Sequence, residues 1–178
     1  MVANAENLEV SGVGAGMSGV GVVTSSAGVR LGVVNVAGCS AIAGVSAPLE
    51  AIERQLEGLL AGERVDTVLV DVHGESVFEK LGLAYALSGR IAALLGTHTH
   101  VQTRDARVLP GGVAYVSDVG MTGPSGGMQG YGSAGFVARL LSPGLRRQPL
   151  ELATGDVELG AVLVTFKGSR ASEIRRLE

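Results

Sequence analysis

The sequence predicts an α/β fold. Runs of Val and Leu without polar alternation, such as residues 67–72, are typical of strands buried on both faces of a parallel sheet. Residues 49–60 carry apolar side chains at helical spacing, which predicts a helix packed on that sheet. Hydrophobic residues make up 46% of the chain, with 28 glycines and no Trp, and this composition favours tightly connected buried strands over an aromatic-rich sandwich.

The predicted elements alternate along the chain. Short apolar runs predict strands at residues 20–24, 29–36, 67–72, 91–95, 112–116 and 157–166. Helical spacing of apolar residues predicts helices at residues 48–62, 77–89 and 131–141. Residues 172–177 fit either a strand or a helix. A length of 178 residues suits a single domain, which we expect to span the whole chain.

Charge and cysteine content limit the classes of function. A net charge of −3 and a pI near 5.6 argue against general nucleic-acid binding, so any phosphate chemistry must be local. The single cysteine, Cys39, cannot form an internal disulfide, which favours a reducing compartment. The N-terminus lacks a secretory signal pattern, and Gly, Ser and Pro interrupt the uncharged stretches 10–29 and 31–49. We therefore expect a cytoplasmic protein with no membrane span.

All three histidines follow predicted strands. His73 comes after one strand, and His98 and His100 come after the next. Ligands in open α/β sheets bind beyond the carboxyl ends of the strands, so these side chains are expected to converge. If the backbone stays extended, His98 and His100 leave on one face, as do Asp71 and His73. Nitrogen ligands with a carboxylate suit Zn, Mn or Fe. The alternative is three structural histidines that donate hydrogen bonds to nearby carbonyls.

Other motifs carry weaker signals. Residues 14–19 match Gly-x-Gly-x-x-Gly, but strand-like sequence follows where a dinucleotide fold requires a helix, so a turning loop is the better interpretation. The glycine-dense run 120–130 follows a strand near the histidine pair, and its amides are candidates to face a phosphate. Glu75 is a candidate for proton transfer, although capping of the following helix is favoured.

Three segments together resemble a known family. Residues 70–75 read Val-Asp-Val-His-Gly-Glu and are followed by Glu79-Lys80, residues 96–103 read Gly-Thr-His-Thr-His-Val-Gln-Thr, and residues 118–124 read Asp-Val-Gly-Met-Thr-Gly-Pro. In this order they resemble the YmdB-type family of 2′,3′-cyclic nucleotide phosphodiesterases, a branch of the calcineurin-like metallophosphoesterases. The resemblance implies a four-layer αββα sandwich.

The family resemblance also implies a division of the site. His73 and His98 would bind one ion, and His100 the other, of two divalent metals (Fe, Mn or Zn). Asp71 is expected to orient His73 or to end the strand beside it, without binding metal. The remaining candidates are supporting or substrate-loop residues: Glu75, Thr97, Thr99, Asp118, Gly120, Thr122 and Gly123.

Residues before 29 lack the early motifs of the family. The resemblance therefore implies that about the first third of the family's fold has no counterpart here, which leaves the first sheet incomplete. The bridging carboxylate and the general acid would lie in that missing part, so the catalytic residues are unknown.

Two functions are compatible with this sequence. The first is a metal-dependent phosphodiesterase that acts through a binuclear centre on 2′,3′-cyclic nucleotides or related small phosphodiesters. The second is a non-catalytic metal-binding or assembly module, in which the three histidines hold one ion and an exposed sheet edge associates with a partner or forms a homo-oligomer.

Overall fold

A computed structural model describes residues 19–142, 144 and 149–177. The described part contains three α-helices, α1 (Pro48–Glu57), α2 (Val77–Ala86) and α3 (Ser133–Leu141). It contains ten strands: β1 (Val20–Thr24), β2 (Arg30–Ala37), β3 (Thr67–His73), β4 (Ala93–Thr97), β5 (Arg107–Leu109), β6 (Val113–Val116), β7 (Gly123–Pro124), β8 (Val157–Glu158), β9 (Ala161–Lys167) and β10 (Arg170–Leu177). The predicted α/β class is confirmed.

Six strands form the central sheet in the order β1-β2-β3-β4-β6-β5. The four inner strands run parallel, whereas β1 and β5 pair antiparallel at the two edges. Side chains of the inner strands are buried on the helix face and buried or partly buried on the other face, which explains why these segments read as nearly continuous apolar runs. Parallel pairing brings the carboxyl ends of β2, β3 and β4 to one edge of the sheet.

Helices cover one face of the sheet. Pro48 occupies the first turn of α1, where its missing N–H costs nothing, and Ile52 and Leu56 are fully buried against the strands. The predicted helix 48–62 continues beyond α1 as a π-helical turn, Gly58–Glu63, that ends at Arg64 with φ of 51°. On α2, the Ser76 hydroxyl accepts a hydrogen bond from the Glu79 N–H and caps the helix.

The β9–β10 hairpin covers the opposite face. Ala93 and Ala114 point away from the helices and pack with Ala171 and the partly buried Phe166 and Ile174. Small alanines on the sheet let the hairpin approach closely, and the Ala171 N–H donates to the Gly112 carbonyl at 2.7 Å. Helices, sheet and hairpin therefore form successive layers.

Two segments differ from the sequence predictions. The single strand predicted at 157–166 is divided into β8 and β9 at Gly160, where a Cβ atom would lie 2.7 Å from the Met121 backbone. Residues 172–177 belong to the strand β10, which decides between the two alternatives. The short strands β5 and β7 were not predicted, because three and two residues are too few to show periodicity.

The sequence predicts no membrane span and a turning loop at the N-terminal glycine motif. Among the described residues, no helix has the length and apolar character needed to cross a bilayer. The Gly-x-Gly-x-x-Gly motif at 14–19 lies outside the described residues except for Gly19.

Candidate metal centre

Strand register brings His73 next to the His98–His100 segment. In the parallel pair β3–β4, His73 is directly opposite Thr97, the last residue of β4. His98 follows immediately, so the side chains of two separate sequence motifs meet at the carboxyl edge. The predicted convergence of His73 and His98 is observed in the geometry.

A chain of hydrogen bonds orients His73. The Asn35 amide donates to Asp71 Oδ2 at 2.7 Å, and the Thr97 hydroxyl donates to Asp71 Oδ1 at 2.9 Å. His73 Nδ1 lies 3.1 Å from Thr97 Oγ1. Because the Thr97 proton is directed to Asp71, its oxygen accepts from His73, which places the imidazole proton on Nδ1. The lone pair of His73 is then on Nε2, the nitrogen that faces the cavity.

His98 meets His73 edge to face. His98 Nδ1 lies 3.1 Å from His73 Nε2, and the two ring planes are 89° apart. Burial lowers the pKa of His73, and the nearby His98 lowers it further. A lowered pKa keeps this imidazole neutral near pH 7, which is the form that binds metal ions.

The spacing of these two nitrogens fits two ligands of one ion. Imidazole nitrogens lie about 2.0–2.1 Å from a Zn²⁺ ion that they bind. Two such nitrogens are therefore about 3 Å apart when the nitrogen–metal–nitrogen angle is between a right angle and the tetrahedral angle. The observed separation of 3.1 Å matches this value. No cluster of three or more His, Cys, Asp or Glu side chains suited to one ion occurs within the described ranges. His73 and His98 therefore supply only part of a coordination sphere.

His100 faces the same cavity from a different direction. Its Nδ1 donates to the Gln129 carbonyl at 3.3 Å, which leaves the lone pair on Nε2. The condition of an extended backbone is not met, because His98 has φ of 121° and His100 has φ of 65°. Because neither residue is extended, strand alternation does not place the two imidazoles on one face.

These side chains line a cavity of about 510 Å³. Gly120 and Thr122, which are candidates from the loop after β6, belong to its wall together with Met121 and Gly160. Gly123 lies outside the lining and pairs with Glu158 in β7–β8.

The loop amides have internal partners. The Val119 N–H donates to the Gly96 carbonyl, and the Gly120 N–H donates to Asp118 Oδ1, both at 2.9 Å. Of these two residues, only Gly120 belongs to the run 120–130, and its amide is engaged by Asp118 and so does not face a phosphate.

The structure also corrects the role given to Glu75. Ser76 caps α2, so the capping interpretation of Glu75 is wrong. Glu75 Oε2 instead lies 3.3 Å from His98 Nε2, and its side chain is largely exposed. The carboxylate is positioned to interact with the histidine pair from the solvent side.

Sequence reasoning assigned no role in the site to two residues near the histidines. Asn35 holds Asp71, and its signal is a polar side chain within the otherwise apolar strand β2. Lys80 is 1% exposed, with Nζ 3.8 Å from Asp118 Oδ2, but helical spacing alone does not distinguish it from a surface lysine.

The layered sheet with histidines at its carboxyl edge is consistent with a calcineurin-like fold. The chain belongs to the YmdB-like protein family, whose profile matches residues 2–177. The predicted family relationship is thereby confirmed.

Individual relatives agree with this assignment. A 2′,3′-cyclic-nucleotide 2′-phosphodiesterase of Bacillus subtilis is 42% identical over 113 residues, which are 63% of this chain and 42% of that protein. A crystal structure of a hypothetical protein from Thermus thermophilus superposes with a TM-score of 0.81 at 39% identity, covering 90% of this chain and 61% of the other. A phosphatase structure from Mycoplasma pneumoniae has the same TM-score at 26% identity, covering 97% and 61%. The chain thus spans less than half the length of the Bacillus relative.

Proposed function

We propose that this chain provides the histidine ligands of a metal-dependent phosphodiesterase that acts on 2′,3′-cyclic nucleotides or related small phosphodiesters. The main support is the 3.1 Å approach of His73 Nε2 to His98 Nδ1, beside His100 in one cavity. The name of the Bacillus relative supports the substrate class. A cavity of about 510 Å³ is within the usual range for small-molecule sites.

Each histidine has a defined part in the proposal. His73 Nε2 and His98 Nδ1 would hold one divalent ion, and His100 Nε2 would hold a second. When bound, the two ions supply a Lewis acid for the phosphoryl oxygens and lower the pKa of a water for attack. Thr97 and Asp71 keep the His73 lone pair directed into the site. Gly120 and Met121 would contact the substrate from the cavity wall.

A second candidate is a metal-binding module without turnover. Its support is the His73–His98 pair, whose nitrogens lie 3.1 Å apart and could hold an ion without turnover. In this case the histidines hold an ion whose role is structural or supports association with a partner. The number of ions bound per chain separates the two candidates, because the phosphodiesterase requires two.

The test combines metal content with hydrolysis. The full chain is loaded with Mn²⁺, dialysed and assayed for bound metal by elemental analysis, and then for cleavage of 2′,3′-cyclic AMP and bis(p-nitrophenyl) phosphate. We expect about two ions per chain and measurable hydrolysis. His98→Ala is expected to abolish hydrolysis and to remove the ion shared with His73.

The matched control lies on the surface. Arg90 and Glu53 form an exposed ion pair at 2.8 Å, so Glu53→Gln should leave metal content and turnover unchanged. One bound ion without hydrolysis would support the module, and no bound metal would contradict both candidates.

A further inference from the structure

The segment that carries His98 and His100 has an unusual backbone. Both histidines adopt positive φ values, 121° and 65°, on either side of Thr99. Non-glycine residues rarely occupy this region, and they persist there only where surrounding contacts hold them. The geometry of two proposed metal ligands therefore depends on whatever fixes the backbone of Thr99.

Asp118 is the group that fixes it. Its Oδ2 accepts the Thr99 N–H at 2.8 Å, and its Oδ1 accepts the Gly120 N–H at 2.9 Å. The Asp118 side chain is fully buried, with 0% exposure. One carboxylate thus joins the histidine turn to the loop that forms the wall of the cavity.

Lys80 contacts the segment that carries Asp118. This lysine of α2 is 1% exposed and donates from Nζ to the Ser117 carbonyl at 2.7 Å, with Asp118 Oδ2 at 3.8 Å. Gly96 makes the arrangement possible, because a Cβ atom there would overlap the Ser117 carbonyl and lie 2.8 Å from Lys80 Cδ. The helix α2, the strand β4 and the loop after β6 therefore pack together around the buried Lys80 amine.

A contribution to the stability of the fold does not by itself account for the buried Lys80–Asp118 pair. Burying two charges carries a desolvation cost, and apolar replacements of buried ion pairs are often equally or more stable. We propose that Lys80 and Asp118 are positioning residues that hold the turn 98–100 in the conformation that binds metal. The inference rests on the proposed function, since it gives His98 and His100 their role.

The experiment compares Lys80→Met, Asp118→Asn and the double variant, all in the full chain. Zn²⁺ affinity is measured by calorimetry, and stability is measured by urea unfolding in EDTA. We expect each variant to bind Zn²⁺ about 10–100-fold more weakly than the parent. The double variant leaves no lone buried charge, so we expect it to be more stable than either single variant while its affinity stays low.

A control and a spectroscopic measurement complete the design. Substituting the exposed pair, Arg90→Gln with Glu53→Gln, should leave Zn²⁺ affinity within about twofold of the parent. In the metal-free parent, we expect the Thr99 amide proton to be shifted downfield and protected from exchange, because it donates to a buried carboxylate. In Asp118→Asn both signatures should weaken.

The outcomes separate the two proposals. Parent-like Zn²⁺ affinity in any folded variant would overturn the inference and leave the proposed function intact. A rapidly exchanging Thr99 amide in the parent would also overturn it, even if every variant failed to fold. A parent that bound no metal would contradict the proposed function and remove the basis of the inference.

Discussion

Asp71 shows how a single residue serves the site at a cost to the fold. Burial raises its pKa, while hydrogen bonds from Thr97 and Asn35 act in the opposite direction. The Asn35 Oδ1 atom is buried and has no hydrogen-bond partner in the part of the chain that the structure describes. The hydrogen bonds from Thr97 and Asn35 therefore offset only part of the cost of burying the Asp71 charge. Such a cost is typical of a group that is retained for its effect on a neighbouring ligand.

We expect Asp71→Asn to stabilise the metal-free chain by about 0.5–2 kcal/mol near pH 7. The amide removes a buried charge, and rotation of the Asn35 side chain would give its orphan oxygen a donor. A raised pKa means that the folded parent loses stability from Asp71 as pH rises through that pKa. The advantage of the variant should therefore shrink as pH falls towards the ordinary value of 3.8.

Urea unfolding in EDTA at several pH values measures this effect. The same variant is expected to bind Zn²⁺ more weakly, because the Thr97–His73 chain loses its anionic end. A pH-independent difference between parent and variant would show that the Asp71 charge is not the cause.

At the scale of elements, β4 depends on one glycine. Gly96 lies where the strand passes closest to Ser117 and to the Lys80 side chain. Gly82 on α2 is exposed, and a Cβ atom there would meet nothing within 4 Å, which makes this glycine a matched comparison. The two glycines separate the effect of tight packing from that of backbone freedom.

We expect Gly96→Ala to destabilise the chain by about 1–3 kcal/mol or more, because the new methyl group forces β4 away from the neighbouring loop. Gly82→Ala should instead stabilise it by about 0.4–1 kcal/mol, through the lower entropy of the unfolded chain. Urea midpoints of both variants in EDTA test this pair. Equal effects would show that the close contact at Gly96 is relieved without cost.

Element positions were predictable where the pattern was long. The parallel strands β3 and β4 carry apolar runs, and the helices α1 and α2 carry helical spacing, both of which are local properties of the sequence. The π-helical turn after α1 was not predictable, since its residues continue the apolar spacing of the helix. The short strand β5 exists because β6 offers it a partner, and this is a property of the assembled sheet.

At the scale of the whole molecule, the sheet separates two apolar cores. The larger core lies under the helices, and the smaller one lies under the β9–β10 hairpin. The site lies at the carboxyl edge of this sheet and draws on β2, β3, β4 and the loop after β6. Metal binding should therefore be coupled to the folding of the whole chain.

We expect Zn²⁺ or Mn²⁺ at about 100 times its dissociation constant to stabilise the fold by about 2.7 kcal/mol. For a chain of this size, that corresponds to a rise in Tm of about 5–10 °C. Thermal unfolding followed by circular dichroism, with reversal by EDTA, measures the shift. His98→Ala should lose most of it, and an equal shift in that variant would place the ion elsewhere.

The sequence by itself determined the α/β class, the family and the placement of the three histidines after strands, because these depend on local periodicity and on the order of motifs. Tertiary structure alone decided which nitrogens meet. Strand register put Thr97 between Asp71 and His73, and two positive φ values set the directions from which His98 and His100 enter the cavity. It also buried Lys80 against Asp118. Such contacts join residues distant in sequence, so no local pattern contains them.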